Sequence, residues 1–477
     1  MKDTKLPVST KLYYGFGSMA FGIKDNAFAY FLLFVYVQVF GLSPDLAGLA
    51  ILLMLVFDAI SDPLVGYFSD NTKTKWGRRH PYIYLSALPV CISFFVLWIP
   101  PLDLTQFQLF SYLLLVGIFI RTAITFYEIP SMALGPELSK DYIERSSLLA
   151  YRYWFGWWGG LAVWCSLWIF VVYSSYTGTT DARYLPSTWQ SYGLACGVVM
   201  FIAIMVTALG THRHINDLFT PEPNKLSIRN TLSQLWETLT VSRDYLVLFL
   251  AGIITAVASG ISTNLTLFYY SFFWEFTPLN ILTIGLALFL TPFVGILISP
   301  YLAGKYGKRN TIIFMFLIAF VAENIAIFMK IFDLMPSNDT PYVLFIVLAC
   351  HWIGVAAQII SYTTLGSMVF DTVEEVEKIT GRRMEGTLLA ARSFAAKCMS
   401  GAGAFLAGIV LSLSSWPSGA VAGEVDNSTI ISVGIYALSI STCLWLLALF
   451  IFSKVKMTKA SHEGNLDNLN YLSLIHI

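Results

Sequence analysis

Charge is what this sequence has least of. Asp, Glu, Lys and Arg make up 12% of its 477 residues, where soluble domains carry about 25%. The two signs balance to a net charge of zero, which leaves no electrostatic case for a nucleic-acid partner. Cysteine is also sparse. Cys91, Cys165, Cys196, Cys350, Cys398 and Cys443 are scattered through apolar runs with no C-x-x-C spacing, which argues for packing and against a disulfide framework or a cysteine metal site. His80, His212, His214, His462 and His476 fall in loops or tails, and His351 stands alone in an apolar stretch. The sequence lacks G-x-S-x-G, a Walker A loop and H-E-x-x-H, so neither an enzyme nor an organic cofactor is expected.

Apolar residues are abundant. They make up 56% of the chain, aromatics 16%, and the mean hydropathy is +0.68. One soluble core cannot hide that much apolar surface, so lipid must be the solvent for much of the chain. Twelve stretches meet the need for about 20 apolar residues per helical span. They are 12–40, 45–70, 81–101, 107–136, 150–174, 191–211, 245–273, 279–304, 311–332, 341–370, 386–413 and 429–453. The expected fold class is all-α and polytopic. The first span is too long for a cleavable signal and carries Lys24 and Asp25. With both termini in the cytoplasm, 23 of the 29 Lys and Arg residues fall on the cytoplasmic side, and Arg183 and Lys330 fall outside. That bias sets the expected topology.

The longest polar connection, 212–244, contains Pro221 and Pro223 and an amphipathic stretch from Leu226 to Leu239. It divides the chain into a half of six spans (1–211), a linker (212–244), a second half (245–455) and a tail (456–477). The halves echo each other. Asp62-Pro-Leu-Val-Gly66 and Trp76-Gly-Arg-Arg79 are answered by Thr291-Pro-Phe-Val-Gly295 and Tyr306-Gly-Lys-Arg309, and Ser131-Met132 by Ser367-Met368. A six-plus-six repeat is the arrangement of the major facilitator fold. Asp62 is answered by Thr291, so an acid-based site is expected in the first half. Gly66 and Asp70, followed by Gly77, Arg78 and Arg79, form a candidate gating loop, in which a glycine lets helices approach and the charges clasp helix ends. Arg382 and Arg383 are candidates for the same task in the second half.

Lys24, Asp25, Asp58, Asp62, Arg121, Glu128, Glu323, Arg392 and Lys397 lie inside spans, with Arg152 near the start of the fifth. Each costs about 2.5–3.5 kcal/mol at a span centre, so they must face a wet cavity or one another. Asp58 and Asp62, at i and i+4, share a helix face. A monovalent cation or a proton relieves their repulsion, and Ser61 and Thr125 offer further oxygens. These four are the candidate cation site. An alternative is that the acids only pair with Lys397 and Arg152. Asp25, Glu128 and Arg152 can bind vicinal hydroxyls, with Tyr30, Phe126, Tyr127 and Tyr153 nearby. Lys24 balances or orients Asp25. Glu323 is isolated beside Asn324.

Tyr14-Gly-Phe-Gly17, Lys24-Asp25, Phe57-Asp-Ala-Ile-Ser-Asp-Pro63, Trp76-Gly-Arg-Arg79, Tyr127-Glu-Ile-Pro130 and the Lys397 span resemble the glycoside–pentoside–hexuronide:cation symporters, the melibiose permease group of the major facilitator superfamily. The resemblance implies that Asp58 and Asp62 are the two cation-binding acids, with Lys397 near them in the cavity. Ser61 stands where the family has an asparagine, and Thr125 matches its threonine ligand. Asp25 and Arg152 fall on sugar-binding positions, and Glu128 on a sugar-binding aspartate. Met132 replaces a tryptophan that stacks on the sugar. The implied function is Na+- or H+-coupled symport of a sugar or glycoside, by a monomer in a bacterial inner membrane. Symport of a lysophospholipid or other amphiphile is the main alternative, and a membrane enzyme or channel a weaker one.

Overall fold

The computed structural model describes residues 5–139, 141–178, 181–215, 242–380 and 385–456. These form twelve long helices: α1 (Val8–Val39), α2 (Pro44–Asn71), α3 (His80–Leu97), α4 (Gln106–Leu138), α5 (Tyr142–Thr177), α6 (Pro186–His212), α7 (Arg243–Phe273), α8 (Pro278–Tyr306), α9 (Lys308–Ile331), α10 (Pro341–Thr380), α11 (Glu385–Leu413) and α12 (Asn427–Phe452). Eleven are long and apolar enough to cross a membrane, and among the described residues α11 adds a shorter apolar stretch, Lys397–Leu413. The protein is a multi-pass membrane protein. Most of the expected linker, both Arg382 and Arg383, and the tail from 457 onward lie outside the described residues.

Local chemistry sets where the helices begin. Proline occupies the first turn of α2, α3, α6 and α8, where its missing N–H costs nothing. Thr105, Asp141, Ser242 and Thr277 cap α4, α5, α7 and α8 by accepting from Gln108, Glu144, Tyr245 and Asn280 N–H groups. Such caps contribute about 1 kcal/mol each.

The helix neighbours repeat. In the first half α1 packs on α5 and α6, α2 on α4, and α3 on α4 and α6. In the second half α7 packs on α11 and α12, α8 on α10, and α9 on α10 and α12. Adding six to each helix number converts one set into the other. Contacts between the halves follow the same rule: α1 meets α7, and α2 meets α11 as α8 meets α5. Small residues permit the tightest crossings. A Cβ on Gly22 of α1 would strike the main chain of Gly156, and one on Gly260 of α7 would strike that of Met399 and Gly403. Helices α1 and α7 also end alike, in π-helical turns at Val35–Val39 and Tyr269–Phe273. Leu42 N–H donates to the Tyr36 carbonyl at 2.8 Å, and Phe276 N–H to the Tyr270 carbonyl at 2.7 Å.

The two ends of the bundle differ. At the end away from the N-terminus, the far end, aromatic side chains from both halves interlock. Phe34 packs on Phe268 (5.2 Å between ring centres), and Trp416 packs on Phe268 and Phe272 (5.6 and 4.9 Å). Buried Arg183, held by Asp181 at 2.6 Å, crosses to the second half and donates to Ser271 Oγ (3.2 Å) and the Phe276 carbonyl (2.9 Å). Gly419 N–H donates to the Val37 carbonyl, and Ser418 Oγ to that of Leu42. This end is sealed. The other end, which carries the basic loops, is called the basic end below.

Candidate solute and cation site

Mid-depth residues of α1, α2, α4, α5 and α11 form one charged cluster. Asp58 lies on α2, almost fully buried. Its Oδ2 takes an ion pair from Arg121 Nη1 of α4 and lies 3.5 Å from Lys397 Nζ of α11. One turn along, Asp62 pairs with the same Lys397 and accepts from Thr125 Oγ1 at 3.0 Å. The i, i+4 spacing thus places both acids on one face, and a single ammonium bridges them. Ser61 is not aimed at the acids as expected. Its hydroxyl donates to the Asp58 carbonyl at 3.5 Å, a bond within its own helix turn. Of the two partners in the alternative reading, Lys397 pairs with these acids and Arg152 does not; Arg121 takes Asp58 instead. Sequence spacing fixes which face of α4 carries Arg121, but not that this face meets Asp58.

A second group lies beside the first. Lys24 Nζ is 2.7 Å from Asp25 and 3.9 Å from Glu128. Glu128 lies within electrostatic range of Lys397, Arg152 and Asp58 as well. Arg152 is buried beneath this group. It donates to Ser131 Oγ at 3.0 Å and to the Glu128 carbonyl at 3.4 Å, and its guanidinium covers the Phe21 ring at 4.9 Å. It therefore braces the α4 turn that carries Glu128 and does not present a free planar pair of donors. Met132 is exposed. Of the aromatics near the expected sugar position, Tyr153 is exposed, Tyr127 is fully buried and Phe126 packs on Tyr82. Tyr127 is thus unavailable for stacking in this state.

Two acids of the cluster are accessible. The Asp25 side chain is 62% exposed and that of Asp62 is 23% exposed. Farther along α1, Phe28, Phe31, Leu32, Phe34 and Tyr36 are at most 1% exposed. The accessible acids therefore lie on the basic-end side of the buried aromatic packing.

The candidate gating loop forms a clasp at the basic end. Arg79 pairs with Asp70, and also donates to Ser69 Oγ (2.7 Å) and Glu137 Oε1 (3.0 Å). Arg78 reaches Glu137 at 2.7 Å. Gly77 has φ +73°, a left-handed conformation suited to glycine. Gly66 does not mediate a close helix approach. A Cβ there would meet Ile129 at 3.6 Å, an ordinary contact. Glu137, at the end of α4, is the acid that sequence reasoning missed. The second half repeats the device: Gly307 has φ +80°, and Lys308 bonds Asp371 of α10 at 2.6 and 2.7 Å. Lys308 was visible in the echoed motif, and Asp371 was not singled out.

Glu323 is not isolated. It accepts from Gln358 Nε2 of α10, and the buried rings of Tyr270 and Tyr362 lie within its electrostatic range. Among the described residues, no group of three or more His, Cys, Asp and Glu side chains is placed to hold a metal ion.

Residues 13–457 match the family described as MFS/sugar transport protein. The isoprimeverose transporter of Lactiplantibacillus pentosus is 23% identical over 85% of this chain and 80% of its own length. The sodium-dependent lysophosphatidylcholine symporter 1 of Gallus gallus is 34% identical over 31% of this chain and 28% of its own. The inward-open xylose transporter XylE from E. coli has the same fold, with a TM-score of 0.61 at 16% identity, over 97% of this chain and 99% of its own. The chain therefore belongs to the MFS/sugar transport family, as its resemblance to the glycoside–pentoside–hexuronide:cation symporters implied.

Proposed function

We propose that this protein is a secondary active transporter that couples entry of a monovalent cation to symport of a sugar or glycoside by alternating access. One observation carries the reading. Two acids one turn apart, Asp58 and Asp62, sit in a partly accessible charged cluster, and the bundle is closed by aromatic packing at the far end. The cation is bound by Asp58 and Asp62, with Thr125 and, after a rotamer change, Ser61. Asp25 and Glu128 accept the solute's hydroxyls, Lys24 and Lys397 orient them, Arg152 braces the Glu128 turn, and Met132 lines the cavity. The protein lies in a bacterial cytoplasmic membrane and works as a monomer. Both termini are cytoplasmic, in keeping with the Lys and Arg bias. In that orientation the aromatic seal faces outward and the accessible acids lie on its inward side.

Transport then needs no covalent chemistry. The two halves rock about the cluster. Cation and solute each raise the other's affinity by the same factor, because coupling is reciprocal. The two clasps, Arg78/Arg79–Glu137 and Lys308–Asp371, hold each half together at the basic end while the halves move. The test is uptake into proteoliposomes under an imposed Na+ or H+ gradient, with a panel of glycosides, hexuronides and one lysophospholipid. Accumulation of a sugar above equilibrium supports the reading. Equal levels on both sides indicate a channel. Accumulation of the lysophospholipid alone replaces the solute class and keeps the mechanism.

A further inference from the structure

We infer that Arg121 is a tethered counter-cation occupying the Asp58 side of the ion site, so that a coupling cation binds there only when Arg121 withdraws. The inference rests on the reading of Asp58 and Asp62 as the ion-binding acids, and it assigns Arg121 the role of setting how tightly an alkali cation binds.

Three observations converge on it. The first is placement. Arg121 Nη1 takes Asp58 Oδ2, and the two side chains are 3% and 4% exposed, so no alkali ion can share that oxygen without moving the guanidinium. The second is the form of the pair. It is one-pronged: Asp58 Oδ1 and Arg121 Nε are both buried without a hydrogen-bond partner. A permanent structural bridge in a low-dielectric site would use the guanidinium's two-pronged geometry and satisfy both atoms. This arrangement keeps a carboxylate oxygen in reserve. The third is charge. In the described cluster, Asp25, Asp58, Asp62 and Glu128 are matched by Lys24, Arg121, Arg152 and Lys397. An added monovalent cation leaves the cluster one charge in excess at membrane depth unless a resident cation moves away, and such an excess is costly there.

Arg121 keeps its charge at any physiological pH, so it cannot make room by losing a proton. It has to move. Its braces show how that motion couples to the transport cycle. The guanidinium lies over the Phe28 ring of α1 at 4.8 Å, and its Nη2 donates to Ser400 Oγ of α11 at 3.4 Å. Lys397, the other resident cation, is one turn from Ser400 on the same helix. Separation of α11 from α2 and α4 therefore loosens both occupants of the acid pair together. Ion entry is tied to the relative position of the halves through this one helix.

The test uses the purified full-length protein in nanodiscs, with thermal unfolding followed as NaCl replaces choline chloride at constant ionic strength and KCl as the control. Arg121→Gln keeps an amide near Asp58 but removes the charge. If Arg121 holds the site at least nine-tenths of the time, this variant lowers the half-saturating Na+ concentration by about tenfold or more. Arg121→Lys keeps the charge and stays near wild type. Ser400→Ala removes one brace without changing any charge, and lowers half-saturation in the same direction by about threefold, the loss of one weak hydrogen bond; it decides the matter if Arg121→Gln does not fold. Unchanged half-saturation in Arg121→Gln and Ser400→Ala, with the Na+ response abolished by Asp58→Asn, overturns the inference and leaves the acid-pair reading intact. A Na+ response that survives both Asp58→Asn and Asp62→Asn overturns the reading and the inference together.

Discussion

The two halves share an architecture and differ in their charges. Helix neighbours, the closely approaching glycines, the π-helical ends of α1 and α7, and the basic-end clasps all recur. The mid-depth acids do not. Where α2 carries Asp62, α8 carries Thr291, fully buried, with its hydroxyl given to the Leu288 carbonyl of its own helix. Where the first half gathers four acids and three basic groups, the described core of the second half offers Glu323 on Gln358, plus Lys397 reaching across to the first half's acids and Ser400 to its Arg121. Packing constraints apply equally to both copies of a duplicated fold. A charged site is costly at membrane depth, so one copy suffices, and the other supplies the moving surface against it.

The strongest way to break this comparison is to remove its central acid. Asp58→Asn leaves the Arg121 guanidinium buried without its counter-charge. Its expected cost is about 3–5 kcal/mol of folded stability, with cation-driven uptake reduced to background. Arg121→Gln in the same chain should recover most of the stability and none of the uptake. Unfolding in detergent and liposome uptake measure the two separately. The next test installs the missing acid. Thr291→Asp places a carboxylate at the fully buried α8 position, with an expected insertion cost of about 2.5–3.5 kcal/mol and a fall in membrane-inserted yield. Normal yield would mean that the second half tolerates the chemistry it lacks.

The clasps sharpen the comparison from the other side. Glu137 is shielded and receives bonds from two arginines, whereas Lys308 of the Lys308–Asp371 pair is one-third exposed. Glu137→Gln should cost about 1.5–3 kcal/mol, and Asp371→Asn at most about 1 kcal/mol. Hydrogen exchange at the basic ends of α2 and α4, against those of α8 and α10, reads the difference. Equal protection loss in the two variants would contradict it. The smallest effect concerns Glu144, which lies ahead of the apolar stretch Ser147–Thr177. Its bond to Lys11 holds its carboxyl below the ordinary carboxylate range, helped by the Leu6 N–H. The group's contribution is thus intact above the unfolded value of about 4.3 and is lost as pH falls through the lower folded value. Glu144→Gln should lower thermal stability slightly at neutral pH, flatten the acid limb of the profile and converge with wild type at low pH, where the wild-type carboxyl is protonated in both states.

The spans were legible because lipid demands long apolar helices, and the repeat was legible because its loops kept Gly77 and Gly307 where a left-handed residue is needed. The shared face of Asp58 and Asp62 followed from helical periodicity alone. What one helix cannot reveal is its rotation against the next. That is why the sequence did not show that Arg121 takes the acid while Arg152, read as a solute ligand, turns under Glu128. Ser61 turns from the acids here for a related reason, since a serine in a helix competes for its own carbonyls. Glu137 and Asp371 escaped notice because acids at helix ends look like ordinary solvated residues until a basic loop folds onto them.

The balance of charges in the central cluster also bears on voltage. Four acids and four basic groups cancel in the cluster, so on the proposed reading the cluster itself carries no net charge when the protein reorients empty. Once a cation is aboard, one elementary charge travels with the rocking halves, worth about 2.3 kcal/mol per 100 mV. On that reading, the membrane potential acts through the cluster on the loaded passage and not on the empty return.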